Sequence, residues 1–443
     1  MPQISYISIK DIIKEDRMEA EFFCMTSKLT SNFIYGKDII KKVQYWTSDS
    51  LNEEKIWYPI LRLNEFDWLF IWEPSKYCDL INEKQYKEIQ LKKWDVLICR
   101  TNWSKEFVGR SAIVMEDQEI WFASYLFRLQ PNEKINSETL LVYLNTVPWK
   151  QEILKYKMVS NQANFSPAKF NKIKIPNINI DIQQKVSEIV QTAYDKKQKS
   201  KQLYQEAEDL LLTELWLKNH TVSHTLTFST TKKEIDNTWR YDADYFQPKY
   251  DKLIEKIENY KWGWDYVENY IKVQDKNFIP EEWKLYKYIA LANVSAQWFI
   301  SDCEENYWKE LPTRARRLVK EWNVIVSSIE WSLSSCAVIE KEFNWALCSN
   351  GFYVLHSDYF NSECLLVLFK SNIIQTLLKK WCSWTILTAI SKDELNKIQI
   401  PLIDQKIQKE ISDKIKESFK LRNESKQLLE QAKKMVEDEI EKE

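Results

Sequence analysis

Two stretches of the chain carry a helical stripe. From Asp181, apolar side chains recur at Ile182, Val186, Ile189, Val190 and Ala193, then at Leu203, Ala207, Leu210, Leu211 and Leu215. Ile407, Ile411, Ile415, Phe419, Leu428, Ala432, Val436 and Ile440 repeat the pattern near the C-terminus. Spacings of three and four place these residues on one helix face, and Lys, Glu, Asp and Gln fill the other. Pro176 and Pro401 stand just before the two stripes, as helix-start punctuation. Each stripe predicts a helix of about 50 Å at 1.5 Å per residue. Neither would bury its apolar face alone, so the two are expected to pair stripe against stripe. The remainder is mixed. WDVLICRT, SAIVM, WNVIVSSI and FYVLHS alternate as half-buried strands do, whereas SETLLVYLNT and SECLLVLFKS read as short helices.

The chain also repeats itself. NSETLLVYL at 136–144 recurs as NSECLLVLF at 361–369, and NKIKIP at 171–176 as NKIQIP at 396–401, with the same offset. SKQL at 200–203 recurs at 425–428, RMEAEFF at 17–23 as RYDADYF at 240–246, and WDVLICRTNWS at 94–104 as WNVIVSSIEWS at 322–332. Five collinear blocks are not chance, and the period is far longer than that of a solenoid. The expected fold class is α+β: two pseudo-repeated domains with a pair of long helices. The boundaries read 1–178 for the first domain, 179–217 for the central helix, 218–237 for a Thr/Ser/His/Asn-rich linker, 238–402 for the second domain and 403–443 for the C-terminal helix.

Charge and composition narrow the function. Lys and Arg number 63 against 65 Asp and Glu, a net charge of −2, which excludes a strongly basic tail-type nucleic-acid binder but not local basic patches. No apolar run approaches the roughly 20 residues of a membrane span, and the first residues lack a signal peptide's apolar stretch. Cysteines at 24, 78, 99, 303, 336, 348, 364 and 382 form no CxxC pair, and there are 3 histidines, so no metal site is expected. The expectation is a cytoplasmic protein with reduced thiols. No phosphate-binding glycine loop, HExxH or Pro-Pro methyltransferase motif occurs, so no catalytic residue and no cofactor are expected.

Positive charge gathers in two places. Arg100, Asn102, Lys105 and Arg110 follow the strand opened by Trp94, and Arg314, Arg316, Arg317 and Lys320 precede the strand opened by Trp322. The two loops are expected to occupy matched places in the two halves. Arg and Lys on loops contact phosphates, and Arg or Asn can read base edges. Arg100, Asn102, Lys105, Arg110, Arg314, Arg316, Arg317 and Ser328 are the candidate DNA-binding residues.

These blocks resemble the specificity subunits of type I restriction-modification systems. The resemblance covers nearly the whole chain and rests on RYDADYFQPKYDKL at 240–253, IALANVSAQWFI at 289–300, TRARRLVKEWNVIVSSIEWS at 313–332, WDVLICRTNWSKEFVGRSAIV at 94–114 and the duplicated helices. It implies two target-recognition domains separated by a pair of long antiparallel helices, one helix following each domain, and a non-catalytic chain that binds double-stranded DNA at a bipartite site. It implies methyltransferase (modification) subunits docked on the helices to methylate adenine, which a restriction motor subunit can join for cleavage. Two alternatives stay open: a coiled-coil scaffold whose domains bind other proteins, and the specificity part of a larger fused restriction-methylation enzyme.

One departure is systematic. Glycine occurs 4 times and tryptophan 20 times, whereas average usage of about 7% glycine would give roughly 31. Trp94, Trp103, Trp216, Trp298, Trp322, Trp331, Trp345 and Trp384 stand where the family pattern has glycine. UGA is read as glycine in some bacteria and as tryptophan in others, so these tryptophans are expected to be glycine codons. Such positions should be exposed, with φ > 0 at Trp216 or in the loop pair Trp103 and Trp331. The competing explanation is a set of indoles that stack on bases.

Overall fold

The computed structural model describes residue 9 and residues 32–45, 51–52, 55–78, 88–104, 106–156, 163–218, 223–294, 298–301, 303–382 and 388–442. Block 17–23, Lys105 and Trp384 lie outside the described residues. The chain divides into two units. The first is 1–198 with 421–443, and the second is 199–420. Both are mixed α and β.

Within the first unit a sheet runs in the order Ile40–Tyr45, Leu126–Pro131, Val96–Cys99, Ser111–Ile113, continued by Phe70–Ile71 and Phe66–Asp67. Val96–Cys99 is fully buried and made of Val, Leu, Ile and Cys, as a strand covered on both faces should be. Phe33–Tyr35 pairs antiparallel with Lys174–Pro176, Ile34 opposite Ile175. A smaller sheet holds Trp121–Phe122 parallel to Tyr58–Leu61, with Lys76–Cys78 on the other side.

The second unit builds the same plan. Lys272–Gln274, Phe352–His356, Val324–Ser327 and Cys336–Val338 form its sheet in the corresponding order. Trp264–Tyr266 pairs with Gln399–Pro401, Asp265 opposite Ile400. Leu347–Ser349 lies parallel to Leu285–Ile289 in a second sheet with Glu304–Tyr307 and Ala315–Leu318. The alternating blocks read as strands are strands, and SETLLVY and SECLLVLFK are helices, Ser137–Tyr143 and Ser362–Lys370.

The long helices are Ile180–Glu214 and Gln405–Glu441. Each unit contains part of both, and in each the two run antiparallel. In the first unit the Ser425 hydroxyl donates to the Ala193 carbonyl at 2.6 Å, and Lys196 pairs with Glu424 at 2.6 Å. In the second, Ser200 and Ser418 share a hydroxyl contact of 2.9 Å, and Lys414 reaches Glu206 at 2.6 Å. Serine at these crossings lets the backbones approach closely. Val186, Val190 and Ala193 share one core with Leu429, Ala432, Val436 and Ile440, so the stripes face each other as their spacing implied. In the second unit Ala207, Leu211, Ile411, Ile415 and Phe419 are likewise buried.

A latch ties each helix start to the domain that precedes it. Gln183 is buried. Its Oε1 accepts the Asn136 N–H at 2.9 Å, and its Nε2 donates to the Ile178 carbonyl at 2.9 Å. Gln408 repeats this with the Asn361 N–H at 3.0 Å and the Ile403 carbonyl at 2.9 Å. Ser187 to Glu138 at 2.7 Å recurs as Ser412 to Glu363 at 3.1 Å. Buried polar groups need such partners, and here the partners were duplicated together with the fold.

The stretch 218–237 is not wholly irregular: Lys232–Thr238 is a helix with a Thr231/Glu234 capping box. The short helices Val147–Tyr156 and Asn372–Trp381 were not read from the sequence. No helix among the described residues is long and apolar enough to cross a membrane.

Candidate nucleic-acid interface

Arg100, Asn102 and Arg110 lie on the loop joining Val96–Cys99 to Ser111–Ile113. The Cys99 N–H donates to the Arg110 carbonyl at 2.8 Å, and the Gly109 N–H to the Cys99 carbonyl at 2.9 Å, which closes the loop at its base. Position 100 is held from both sides. Its N–H donates to the Tyr125 carbonyl at 2.8 Å, and its carbonyl accepts the Phe165 N–H at 2.7 Å. Asn102 sits in a two-residue strand opposite Ala163, and its Oδ1 accepts the Ser104 N–H at 2.9 Å. Arg110 is half-buried, with its guanidinium 6.0 Å from the Phe107 ring. Lys105 lies outside the described residues.

The second unit rebuilds this frame around Ser328. Its N–H donates to the Gly351 carbonyl at 2.8 Å, its carbonyl accepts the Ile390 N–H at 2.8 Å, and the Ser327 N–H donates to the Ser335 carbonyl at 2.9 Å. The Ser328 hydroxyl also donates to the Gly351 carbonyl, at 2.9 Å. Arg100 and Ser328 are therefore structural counterparts. This bears out the alignment of 94–104 with 322–332 and corrects the reading of the two basic loops as a matched pair: the counterpart of the 100–110 loop is 328–335, not 314–320. Charge guided that pairing, whereas backbone register decides it.

Arg314, Arg316 and Arg317 belong to Ala315–Leu318 and the turn before it. Arg314 is exposed, and its carbonyl accepts the Asn350 N–H at 2.8 Å. Gly351, the next residue, is the acceptor for Ser328, so the Asn350-Gly351 turn brings Arg314 and Ser328 to one place. Arg316 is half-buried; its Nε donates to the Thr313 carbonyl at 2.8 Å, and it stacks 5.1 Å over Trp308. Arg317 turns inward, donating to the Phe352 carbonyl and lying 5.1 Å over the Tyr353 ring. Burial lowers its pKa, and both contacts are to groups of its own unit. The sequence reading missed Asn350, although an Asn-Gly dipeptide is a strong turn signal.

Each unit thus carries one backbone-clamped loop with a different side chain at the clamped position: a long cation in one, a short hydroxyl in the other. Among the described residues no group of His, Cys, Asp and Glu could hold a metal ion. The arrangement is a duplicated, hydrogen-bonded backbone frame that presents a different side chain in each unit.

Residues 38–209 match the family described as the type I restriction modification DNA specificity domain. A type I restriction enzyme specificity subunit, MjaX, of Methanocaldococcus jannaschii is 26% identical over 158 residues, which is 35% of this chain and 37% of that protein. The match therefore spans little more than a third of the relative's length. The type I restriction-modification S subunit of M. genitalium aligns over 94% of this chain and 98% of its own at 11% identity, with a TM-score of 0.41. The HsdS subunit of Thermoanaerobacter tengcongensis aligns over 92% and 96% at 11% identity, with a TM-score of 0.29. The resemblance to type I specificity subunits read from the sequence is borne out.

Proposed function

We propose that the chain is the DNA-reading specificity subunit of a type I restriction-modification complex, and that each unit reads one half of a bipartite double-stranded site. One observation carries this reading. The same hydrogen-bonded frame is built twice, around Arg100 and around Ser328, with different side chains presented from it. A duplicated frame with divergent side chains suits a protein that docks twice on a repeating backbone and reads different bases each time. On this reading Arg100 and Arg314 contact phosphates or guanine edges, and Asn102 and Ser328 supply neutral hydrogen bonds. Methyl transfer to adenine and cleavage belong to partner subunits: methyltransferase subunits that dock on the exposed helix faces, and a restriction motor subunit. The chain itself supplies no catalytic residue and works in the cytoplasm.

Electrophoretic binding of the assembled complex to duplex DNA at two salt concentrations tests the reading. Affinity should fall steeply as salt rises, because neutralised phosphates release counterions. Arg100→Ala should weaken binding and flatten that dependence. Binding that is indifferent to salt and to Arg100→Ala would favour the protein-scaffold alternative.

A further inference from the structure

Nine non-glycine residues among those described have φ > 0, and seven of them are tryptophan: Trp57 (73°), Trp68 (54°), Trp94 (73°), Trp216 (56°), Trp239 (54°), Trp322 (67°) and Trp345 (67°). The other two are Asn32 and Lys55. A bulky residue in this region is an outlier, because its Cβ crowds the backbone. Asn tolerates the region, but nothing in an indole favours it.

The local backbone geometry at six of the seven positions is a kind that favours glycine. At Trp216 the N–H reaches the Thr213 carbonyl at 3.0 Å, and the Leu217 N–H reaches the Leu212 carbonyl at 2.7 Å. That is a Schellman ending, with Trp216 at the left-handed position where glycine is usual. Trp239 ends the helix Lys232–Thr238 in the same left-handed conformation, its N–H on the Ile235 carbonyl. Trp94, Trp322 and Trp345 are each the third residue of a turn, closed by Asp95 on Lys92, Asn323 on Lys320 and Ala346 on Phe343. Positive φ at that position is what a type II turn takes glycine or asparagine for. Gly109 fills the equivalent place, φ 93°, in the turn closed by Arg110 on Phe107. Trp68 sits in the two-residue hairpin loop between Phe66–Asp67 and Phe70–Ile71, another position of positive φ.

Packing does not compensate at five of the seven, whereas Trp68 and Trp94 are half-buried against the first unit's core. Trp57, Trp216, Trp239, Trp322 and Trp345 are exposed, Trp216 by 83%. Other tryptophans behave as core indoles. Trp121 and Trp149 are 1% exposed, and the Trp149 indole N–H donates to the Gly109 carbonyl. Trp298, expected among the misplaced set, is also buried and stacks on Tyr204 with centroids 4.0 Å apart. Trp103 and Trp331 hold matched loop positions and are exposed, but without left-handed backbone.

We propose that in its own host the chain carries glycine at positions 57, 68, 94, 216, 239, 322 and 345, the seven codons being UGA read there as glycine. Trp121 and Trp149 are tryptophan in both readings. The test is peptide mass spectrometry of the protein isolated from its native organism. Glycine at 94, 216 and 322 with tryptophan at 121 and 149 is the expected result; tryptophan at any of the first three overturns the proposal. An independent arm uses the full chain produced in a host that reads UGA as tryptophan. The triple variant Trp94→Gly, Trp216→Gly, Trp322→Gly should unfold at a higher temperature than the unaltered chain. An unchanged or lower midpoint would mean that the indoles belong there.

Discussion

Asp95 and Arg128 form an ion pair of 2.9 Å, with side chains 2% and 4% exposed. Arg128 also donates to the Gln90 and Glu88 carbonyls at 2.7 Å and to the Gln44 side chain. Asp95 accepts the Lys92 N–H at 2.8 Å and the Gln130 amide at 2.7 Å. The second unit isolates the role of the charge. There Asn323 opens the corresponding strand and accepts the Lys320 N–H at 2.8 Å, the same turn contact made without a carboxylate. Asp95→Asn should therefore keep the turn and remove only the negative charge. Removing one partner of a buried pair costs about 3–5 kcal/mol. The three other acceptors around Arg128 and the retained neutral hydrogen bond reduce this to about 2–3 kcal/mol. For a unit of this size that is a fall of about 4–12 °C in unfolding midpoint. Asp95→Leu, which also loses the turn contact, should cost more. The double variant Asp95→Leu, Arg128→Met should recover most of that loss, because the stranded guanidinium goes with it. Calorimetry on the full chain, following the first-unit transition, reads all three. A shift under about 1 °C for Asp95→Asn, or a double variant no better than Asp95→Leu, would refute the reasoning.

Gln183→Leu and Gln408→Leu should each cost about 2–4 kcal/mol, since each strands the N–H of Asn136 or Asn361 and the carbonyl of Ile178 or Ile403. Denaturant titration should find the two within about 1 kcal/mol of each other, and a large difference would mean the latches are not equivalent. Arg240 grips Asp242 with two bonds of 2.7 and 2.8 Å, and this hydrogen bonding lowers the carboxyl pKa against the opposing effect of burial. A depressed folded pKa stabilises above the unfolded value and is lost as pH falls through the folded value, so the stability gap between the native chain and Asp242→Asn should be full at pH 6 and shrink progressively as the pH drops below about 4. A gap that does not shrink on acidification contradicts the assignment.

Much of this architecture was legible because it is periodic. Val186, Val190, Ile411 and Ile415 announce their buried face by spacing alone, and the blocks at 136–144 and 361–369 announce the duplication. The strand cores VLIC and VIVS are apolar in both copies. What stayed hidden is long-range backbone contact. Nothing in the residue types says that position 100 meets Tyr125 and Phe165, or that Ser328 meets Gly351 and Ile390, since carbonyls and N–H groups carry no residue signature. The basic run at 314–320 therefore competed with the shorter, nearly uncharged loop at 328–335, which holds in its own unit the position that 100–110 holds in the first. The buried Arg128–Asp95 pair was equally invisible, as charge in a sequence reads as surface by default.

The central claim, that each unit reads its own half of a split site, is tested most directly by sequencing the methylome of a host that carries this gene as its only specificity gene, beside one carrying Arg100→Ala. The account predicts a two-part motif with one methylated adenine on each strand. In the variant it predicts that only the half-site read by the first unit relaxes or is lost. An undivided short motif, or a variant that alters both half-sites alike, would contradict it.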